Sequence, residues 1–498
     1  MWEGFDKYDN YDDFIKHTGD LMTSLIKSAY FNREDLLQLF NLKNENILDI
    51  DVSHQADGVY VSIKLIREKH NCPVCGSGTD KVKDYTSKKI LHSLLTNYPC
   101  FIMYQARRYV CLTCKKTFYE NNPFVHKNMK ISVVTVSNVL QDLKLVGETF
   151  TSVGKRYGIT STTAAAIFDS HVFISRKVLP PFLCIDECYA FSGDDGNYVC
   201  VLIDFVTKNT IDLLPSRKIE DLIKYFDLIP LEERKKVQMI CIDMWETYRT
   251  IAHSKLPNCA VALDKFHVLQ DLHRKVKRVR INIMNQIKPL KITSKLEYAA
   301  KHNDKDAKIK LNDYMQRDIN YYLLKKFDWL LFLNYEKRKT ILDLNLKKKM
   351  NHKLRRYCNY NDLLALILNI DPQLKEAYYF LLNVDTFFRE ANYADAKYRL
   401  NKIIDLANQS CVSTINEFGH TLMRWRIEII NSFYIIETVD EFGEVTSRKM
   451  NNGIAENTNR KLKLIKNHSN GYKSWDRFRN RALYVLNDDA TYSLNPLK

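Results

Sequence analysis

Between residues 180 and 267 the chain alternates short apolar runs with polar turns. PPFLCIDECYAF, YVCVLIDFVT and TIDLLPSRK read as three successive strands. A helical stretch follows, IEDLIKYFDLIPLEERKKV, and then an apolar strand in QMICIDMW. Helical ETYRTIAHSKLPN and a last strand, AVALDKFH, complete the region. The order β-β-β-α-β-α-β predicts an antiparallel triplet extended by parallel strands across helices. From Val268 to Tyr434 the pattern changes. The only glycine there is Gly419, and the only prolines are Pro289 and Pro372. Heptad-like apolar spacing recurs, as in YYLLKKFDWLLFL and LKEAYYFLLNVDTFF. That texture predicts a large, all-helical segment.

Upstream, CPVCG carries Cys72 and Cys75, and YVCLTC carries Cys111 and Cys114. Between them KILHSLLTNYPCFIMYQARRYV is β-prone. Two CxxC knuckles joined by strands predict a zinc ribbon, because paired thiolates two residues apart share one tetrahedral ion. The competing reading is four buried cysteines; the Pro and Gly of the first knuckle favour the turn a metal site needs. Cys100 and His92 read as core or surface residues. Next, TFTSVGKRYGITSTTAAAIFDSHV has the pattern of a helix-turn-helix: Thr151 to Tyr157, a turn at Gly158, then Ser161 to His171, capped by Thr160 or Ser161. Small residues Thr162, Thr163 and Ala164 would let the second helix approach DNA closely, with Ser161, Thr162 and Thr163 as candidate contacts.

The strand order is that of an RNase H-like fold. The chain therefore reads as a multidomain α+β protein. The expected divisions are a lead-in (1–65), a zinc ribbon (66–125), a helix-turn-helix (126–175) and the first part of an RNase H-like core (180–267). A helical insertion (268–440) and C-terminal core helices (441–498) follow.

Charge narrows the partners. The formal net charge is +16, with 75 Lys and Arg against 59 Asp and Glu. A polyanion such as nucleic acid is expected. The start, MWEGFDKYDNYDDF, is acidic and lacks a signal-like apolar run, and no stretch is long and apolar enough to span a bilayer. No membrane partner is expected, and the scattered cysteines fit a reducing cytoplasm.

Phosphodiester chemistry on this fold needs divalent ions held by converging carboxylates. Asp186 ends the strand LCID, Asp243 ends MICID, and Glu456 lies in NGIAENTNRKLKLIKNHSNGYKSW. Mg²⁺ or Mn²⁺ suits such oxygen ligands. Glu456 is the only acid from Val445 to Ser474. On a helix, Ala455, Thr458, Leu462 and Ile465 form one apolar stripe, with Glu456, Arg460 and Lys463 beside it. The acid would face metal while Arg460, Lys463 and Lys466 hold phosphates. The bland alternative is a surface Glu456–Arg460 pair. Glu187 should point to the other face of its strand. Asp204 and Asp212 read as edge residues, and Glu246 and Tyr248 as residues that shape the site. Asp264, beside His267, is the main rival ligand and otherwise a supporting residue of the site.

These blocks resemble bacterial DDE transposases of the ISL-three insertion-sequence family. The resemblance runs from CPVCG and CLTCKKTF through IDE (185–187), LPSRK (214–218), CIDMWETY (241–248) and LDKFHV (263–268) to the Glu456 block. It implies a catalytic triad of Asp186, Asp243 and Glu456, with the helical insertion between the last strand and the helix bearing the glutamate. It also implies binding to double-stranded terminal inverted repeats, metal-dependent cleavage, and joining of 3′-hydroxyls to target DNA by a dimer or larger assembly, in the bacterial cytoplasm at the nucleoid. Lys265 stands where the family often has Arg, and Ser216–Lys218 replaces a commoner Gly-Arg. Two alternatives stay open: a nuclease of the same fold without strand transfer, and a DNA-binding regulator with an inactive core.

Overall fold

In the computed structural model, the described residues run from 32 to 496, apart from 43–45, 96–97, 127–128, 194–195, 290–293, 303 and 440–442. Residues 1–31 of the expected lead-in lie outside that set. The fold is mixed α/β, and contacts divide it into two compact units. One comprises residues up to Arg176, Cys188–Val199 and Thr458 onward; the other comprises Lys177–Glu187 and Cys200–Asn457.

The first unit begins with α1 (Arg33–Leu39) and two hairpin strands, β1 (Ile47–Gln55) and β2 (Gly58–Leu65). Two long strands follow, β3 (Val82–Leu95) and β4 (Tyr98–Val110), and then β5 (Thr117–Tyr119). The sheet order is β1-β2-β4-β3, with β5 on β4. β2 runs parallel to β4, whereas β3 and β4 form an antiparallel pair. Alternate residues Val59, Val61, Ile63 and Leu65 are buried with Cys100, Ile102 and Tyr104, as period-two patterning demands. His92 is also buried: its ring nitrogens contact Ser132 Oγ at 2.9 Å and the Phe40 carbonyl at 2.7 Å. It is a satisfied core histidine, as is fitting for a residue with no ligand role.

Three helices follow: α2 (Val133–Asp142), α3 (Phe150–Arg156) and α4 (Ser161–His171). Thr149 and Ser152 form a capping box at α3, and the Thr160 side chain caps α4 by accepting from the Thr163 N–H. Gly158 makes the turn between α3 and α4 at φ +64°, a conformation few other residues adopt cheaply. Val136, Leu140, Val153 and Phe168 pack into one small core that also takes Tyr484 from the C-terminal end of the chain.

Next comes a five-stranded sheet, assigned to the second unit except for Cys188–Val199: β6 (Phe182–Gly193), β7 (Gly196–Asp204), β8 (Thr210–Leu214), β9 (Met239–Ile242) and β10 (Ala260–Leu263). Its order is β8-β7-β6-β9-β10. β8 is antiparallel to β7, and β9 is parallel to both β6 and β10. Helices α5 (Ile219–Asp227) and α6 (Glu246–Lys255) cross between strands, and α7 (Lys265–Gln286) leaves β10 directly. Further helices follow, among them α8 (Lys305–Lys326), α9 (Tyr360–Leu368), α10 (Pro372–Glu390), α11 (Tyr393–Asn408) and α12 (Ser413–Arg424).

Among the described residues the expected all-helical insertion (268–440) departs from helix in a ladder pairing Lys349–Asn351 with Arg356–Cys358 and again near its end, where Ile435–Val439 is a strand. A continuous apolar core runs from Ile240, Ile242 and Leu263 of the sheet into Val276, Phe380, Leu400 and Phe418 of the helices. The helices therefore share the sheet's core. An antiparallel hairpin, β11 (Ile435–Val439) with β12 (Val445–Lys449), precedes α13 (Gly453–His468). The last helix, α14 (Trp475–Leu486), belongs to the first unit.

Candidate active site and metal centres

The strand register sets the geometry of the acids. β6 and β9 pair Met239 with Phe182, Ile240 with Leu183 and Cys241 with Cys184. β9 and β10 pair Ile240 with Val261 and Ile242 with Leu263. Continued by one or two residues, both registers bring Asp186, Asp243 and Asp264 to one level on three adjacent parallel strands; β9 and β10 end there, whereas β6, expected to end at Asp186, runs on to Gly193 because it also pairs with β7. Ligands of open α/β sheets gather at such strand ends.

Asp243 is the hub. His267 Nε2 lies 2.9 Å from Asp243 Oδ1 and 4.0 Å from Asp264 Oδ2. One ligand atom from each of Asp243, Asp264 and His267 lies within 4.8 Å of the others. Asp264 is only 6% exposed, and its carboxylate caps α7 by accepting from the Phe266 N–H at 3.2 Å. Burial pushes its pKa up, and the Asp243 charge adds to that shift. Burial would lower His267, but its hydrogen bond to Asp243 and the surrounding carboxylates outweigh that and raise it. Two carboxylates at this spacing repel by roughly 3 kcal/mol at an effective dielectric of about 20, so a cation is at home among them.

Among the described residues, neither Asp186 nor Glu456 joins a three-residue ligand group of that kind. Asp186 accepts from the Glu187 N–H at 2.8 Å. Glu456 is exposed in the first turn of α13. Its N–H donates to the Asn452 carbonyl, one turn earlier. Asn452 is buried, and its Nδ2 donates to the Ile185 carbonyl at 3.1 Å and to Asp243 Oδ1 at 3.3 Å. This link ties the start of α13 to the middle of β6 and to the end of β9. Asn452 Oδ1 is buried with no hydrogen-bond partner among the described residues. Hard carboxylate oxygens at one level, with a spare amide oxygen beside them, form a donor set that fits Mg²⁺ or Mn²⁺.

The competing acids are engaged elsewhere. Glu187 takes Arg217 Nη1 on both oxygens, at 2.7 and 2.8 Å, and the Arg217 guanidinium lies 4.8 Å from the Trp245 ring centre. Asp204 accepts from the Val206 N–H and the Thr207 hydroxyl, and so closes a turn. Asp212 lies on the edge strand β8, as expected, but is buried, and accepts from the Tyr225 hydroxyl at 3.0 Å. Tyr248 is fully buried, while Glu246 pairs with Arg424 at 2.8 Å.

On α13, Ala455, Thr458, Leu462 and Ile465 are buried, whereas Arg460 and Lys463 are exposed. The Lys466 ammonium lies 4.0 Å from the Tyr189 ring centre. In the first unit, Ser161 and Thr162 are exposed and Thr163 is half-buried. Ala164, expected to ease approach to DNA, is instead fully buried. A cleft of about 530 Å³ beside the start of α3 is lined by Lys155, His468, Lys473 and Arg477.

The cysteine site is a clean match between spacing and geometry. Cys72 and Cys114 sulfurs are 3.6 Å apart, Cys75 and Cys111 sulfurs 3.5 Å, and all four lie within 4.8 Å. A tetrahedral zinc with bonds of about 2.3 Å sets sulfurs about 3.8 Å apart. The two knuckles repeat one hydrogen-bond pattern. Gly76 and Lys115 N–H groups donate to the Cys72 and Cys111 carbonyls, while the Cys72 and Cys111 N–H groups donate to Ser77 and Lys116. Gly76 and Lys115 both have positive φ, +73° and +61°. Hydrogen bonds with Ser77 draw the Cys75 thiol down to about 6. At Cys114 a backbone hydrogen bond from Lys116 also pulls downward, but burial and the three neighbouring sulfurs outweigh it and push the thiol up to about 12. Four thiolates cannot ionise together without a cation, so the donor set fits structural zinc.

Comparison with known proteins agrees with this geometry. Residues 68–114 match a family described as the zinc-finger of transposase IS204/IS1001/IS1096/IS1165. The chain is 19% identical over 417 residues to the transposase for insertion sequence element IS1001 of Bordetella parapertussis, which covers 82% of this chain and 86% of that protein. Residues 183–482, more than half of the chain, match the ISL3-type DDE family described as transposase, and the chain belongs to that family of transposases.

Proposed function

We propose that the chain cuts DNA at the ends of its own insertion sequence and joins the freed 3′-hydroxyls to target DNA, with Asp186, Asp243 and Glu456 as the catalytic carboxylates. The observation that carries this reading is the alignment of Asp186 with Asp243, together with the Asn452 amide that links Ile185 of β6 and Asp243 to the helix bearing Glu456. The strand order, with β9 parallel to both neighbours, supports an RNase H-like core. The α3–α4 pair, joined at Gly158, supports a helix-turn-helix that uses Ser161, Thr162 and Thr163 on DNA.

Asp186, Asp243 and Glu456 would hold Mg²⁺ or Mn²⁺, which when bound supplies charge screening at the scissile phosphate and a more acidic attacking water or hydroxyl. His267 holds the Asp243 carboxylate in one orientation. Asp264 fixes the start of α7, and so keeps His267 three residues on within reach. Arg460 and Lys463 would contact phosphates on either side of the cut, with Lys466 further along the helix. The cationic cleft at Lys155, Lys473 and Arg477 would hold backbone near the helix pair. A reaction on two transposon ends calls for two chains or more at the synapse.

The test is nicking and strand transfer on a duplex carrying the element's terminal repeat, with Mg²⁺ and with EDTA. A metal-dependent cut followed by a joined product is expected. A cut with no joined product would favour a nuclease, and no cut with intact DNA binding would favour a regulator.

A further inference from the structure

The helical segment of the second unit carries a cavity remote in sequence from all of these residues. It has a volume of about 760 Å³ and lies between the end of α8, the short Lys349–Cys358 ladder and the start of α9. That size holds a drug-sized ligand. Tyr322, Phe327 and Tyr360 supply aromatic walls, and Lys326, Lys347 and Lys349 stand among them. Charge and aromatic surface are interleaved: the Lys326 ammonium lies 5.4 Å from the Tyr322 ring centre and 5.8 Å from that of Phe327. Tyr360 is 42% exposed and meets Trp329 edge-on at 5.2 Å. Between Asp343 and Asp362 the chain has six Lys and Arg and no acid. Two of these are neutralised: Lys348 pairs with Asp362, and Lys353 with Asp318. Lys347 and Lys349 make no ion pair among the described residues.

We infer that this cavity binds single-stranded DNA, taking one or two unpaired bases against its tyrosines while the lysines at its mouth hold the adjoining phosphates. An apolar pocket alone would suit many ligands, and a lysine patch alone any polyanion. The two together match a chain that offers a flat π-face and a negative charge at each repeat. A duplex buries its bases and presents only phosphate, so it would leave the aromatic walls unused. That the polyanion is DNA follows from the reading above.

The experiment uses the full chain without added divalent metal, so that binding is read without cutting. A fluorescent thymidine oligonucleotide of about ten nucleotides and a duplex of equal length are titrated by anisotropy. Tyr360→Ala should weaken the single strand roughly ten- to a hundred-fold and leave the duplex within about twofold. Tyr360→Phe should restore it, which separates ring loss from misfolding. Tyr357→Ala removes a ring that is 68% exposed and outside the cavity, and should change nothing. Lys349→Ala should reduce the slope of log affinity against log salt by about 0.7 for the single strand. Unchanged single-strand binding by Tyr360→Ala would overturn the inference, as would an equal loss on both DNAs. Failure of the wild type to nick with Mg²⁺ would instead count against the proposed chemistry and leave this binding result standing.

Discussion

The Asn452 amide donates to the Asp243 carboxylate at 3.3 Å, and the same nitrogen reaches the Ile185 carbonyl at 3.1 Å. A neutral residue thus fixes the central acid of the site and anchors the start of the helix that carries Glu456. Asn452→Ala should leave Asp243 less well oriented. The Mg²⁺ concentration for half-maximal nicking should rise about ten- to a hundred-fold, the usual effect of losing a group that orients a metal ligand. Binding of terminal-repeat DNA should stay the same. A Mg²⁺ titration of nicking at saturating DNA measures this, and an unchanged midpoint would reduce Asn452 to a structural role.

The carboxylates themselves give a sharper contrast. Asp186→Asn, Asp243→Asn and Glu456→Gln should each lower cleavage by orders of magnitude at matched DNA occupancy. Glu187→Gln only weakens the hold on Arg217, so a loss of a few-fold is expected. If Glu456 merely paired with a neighbouring base on the helix surface, its change would affect stability by about 0.5 kcal/mol or less and spare cutting. Near-normal cutting by Glu456→Gln would turn attention to Asp264, which lies level with the other two aspartates.

Metal analysis of the purified protein should find about one tightly held zinc per chain. Cys111→Ser with Cys114→Ser should remove it. Within the knuckles, Gly76→Ala meets no atom within 4 Å, so its effect is purely a matter of backbone conformation at φ +73°. It should destabilise the ribbon by about 1 kcal/mol. Thermal unfolding of the zinc-loaded protein would test this, and an unchanged midpoint would mean that the knuckle tolerates a side chain there.

The helix pair depends on the far end of the chain. Tyr484 donates to the Leu140 carbonyl at 3.1 Å, buried Arg481 donates to the Leu145 and Glu148 carbonyls, and Arg477 pairs with Asp169. A fragment ending near His171 would lose these contacts. Its α2–α4 segment should be cut by protease far faster than in the full chain, while the zinc-held sheet resists. End recognition is therefore better tested in the full chain. There Thr162→Ala should weaken binding to the terminal repeat more than to random duplex, because the side chain is exposed at the start of α4. Equal weakening on both DNAs would move recognition elsewhere.

Much of this architecture was legible because it rests on strong local signals. Period-two apolar runs gave the strands around Asp186 and Asp243, and the two CxxC knuckles gave the ribbon. Thr160 and Gly158 marked the helix pair through cap and turn chemistry. What escaped depends on tertiary neighbours. Asn452 carries no charge and sits in a polar run, so nothing local marks it as a partner of Asp243. Asp264 looked like a rival ligand, yet its carboxylate also caps α7, a role visible only once the helix start at Lys265 is known. Ala164 is small enough for an interface and equally small enough for a core, and the core took it. The β11–β12 hairpin has polar residues on both sides, so its pattern gave no period to read.

The three aspartates aligned across β6, β9 and β10 are made early, and Asn452 and Glu456 follow only after the whole helical segment. At roughly 5–20 residues per second, a ribosome needs on the order of ten to forty seconds to pass from Asp264 to Asn452. During that time the nascent chain already has its zinc-binding cysteines and its central acids, but not the amide that orients Asp243, the helix with the last carboxylate, or the C-terminal residues that hold the helix pair. Premature termination anywhere in that interval yields a polypeptide able to hold zinc but lacking the proposed cutting set. The long separation would thus act as a completion check, withholding the proposed DNA-cutting activity from unfinished chains.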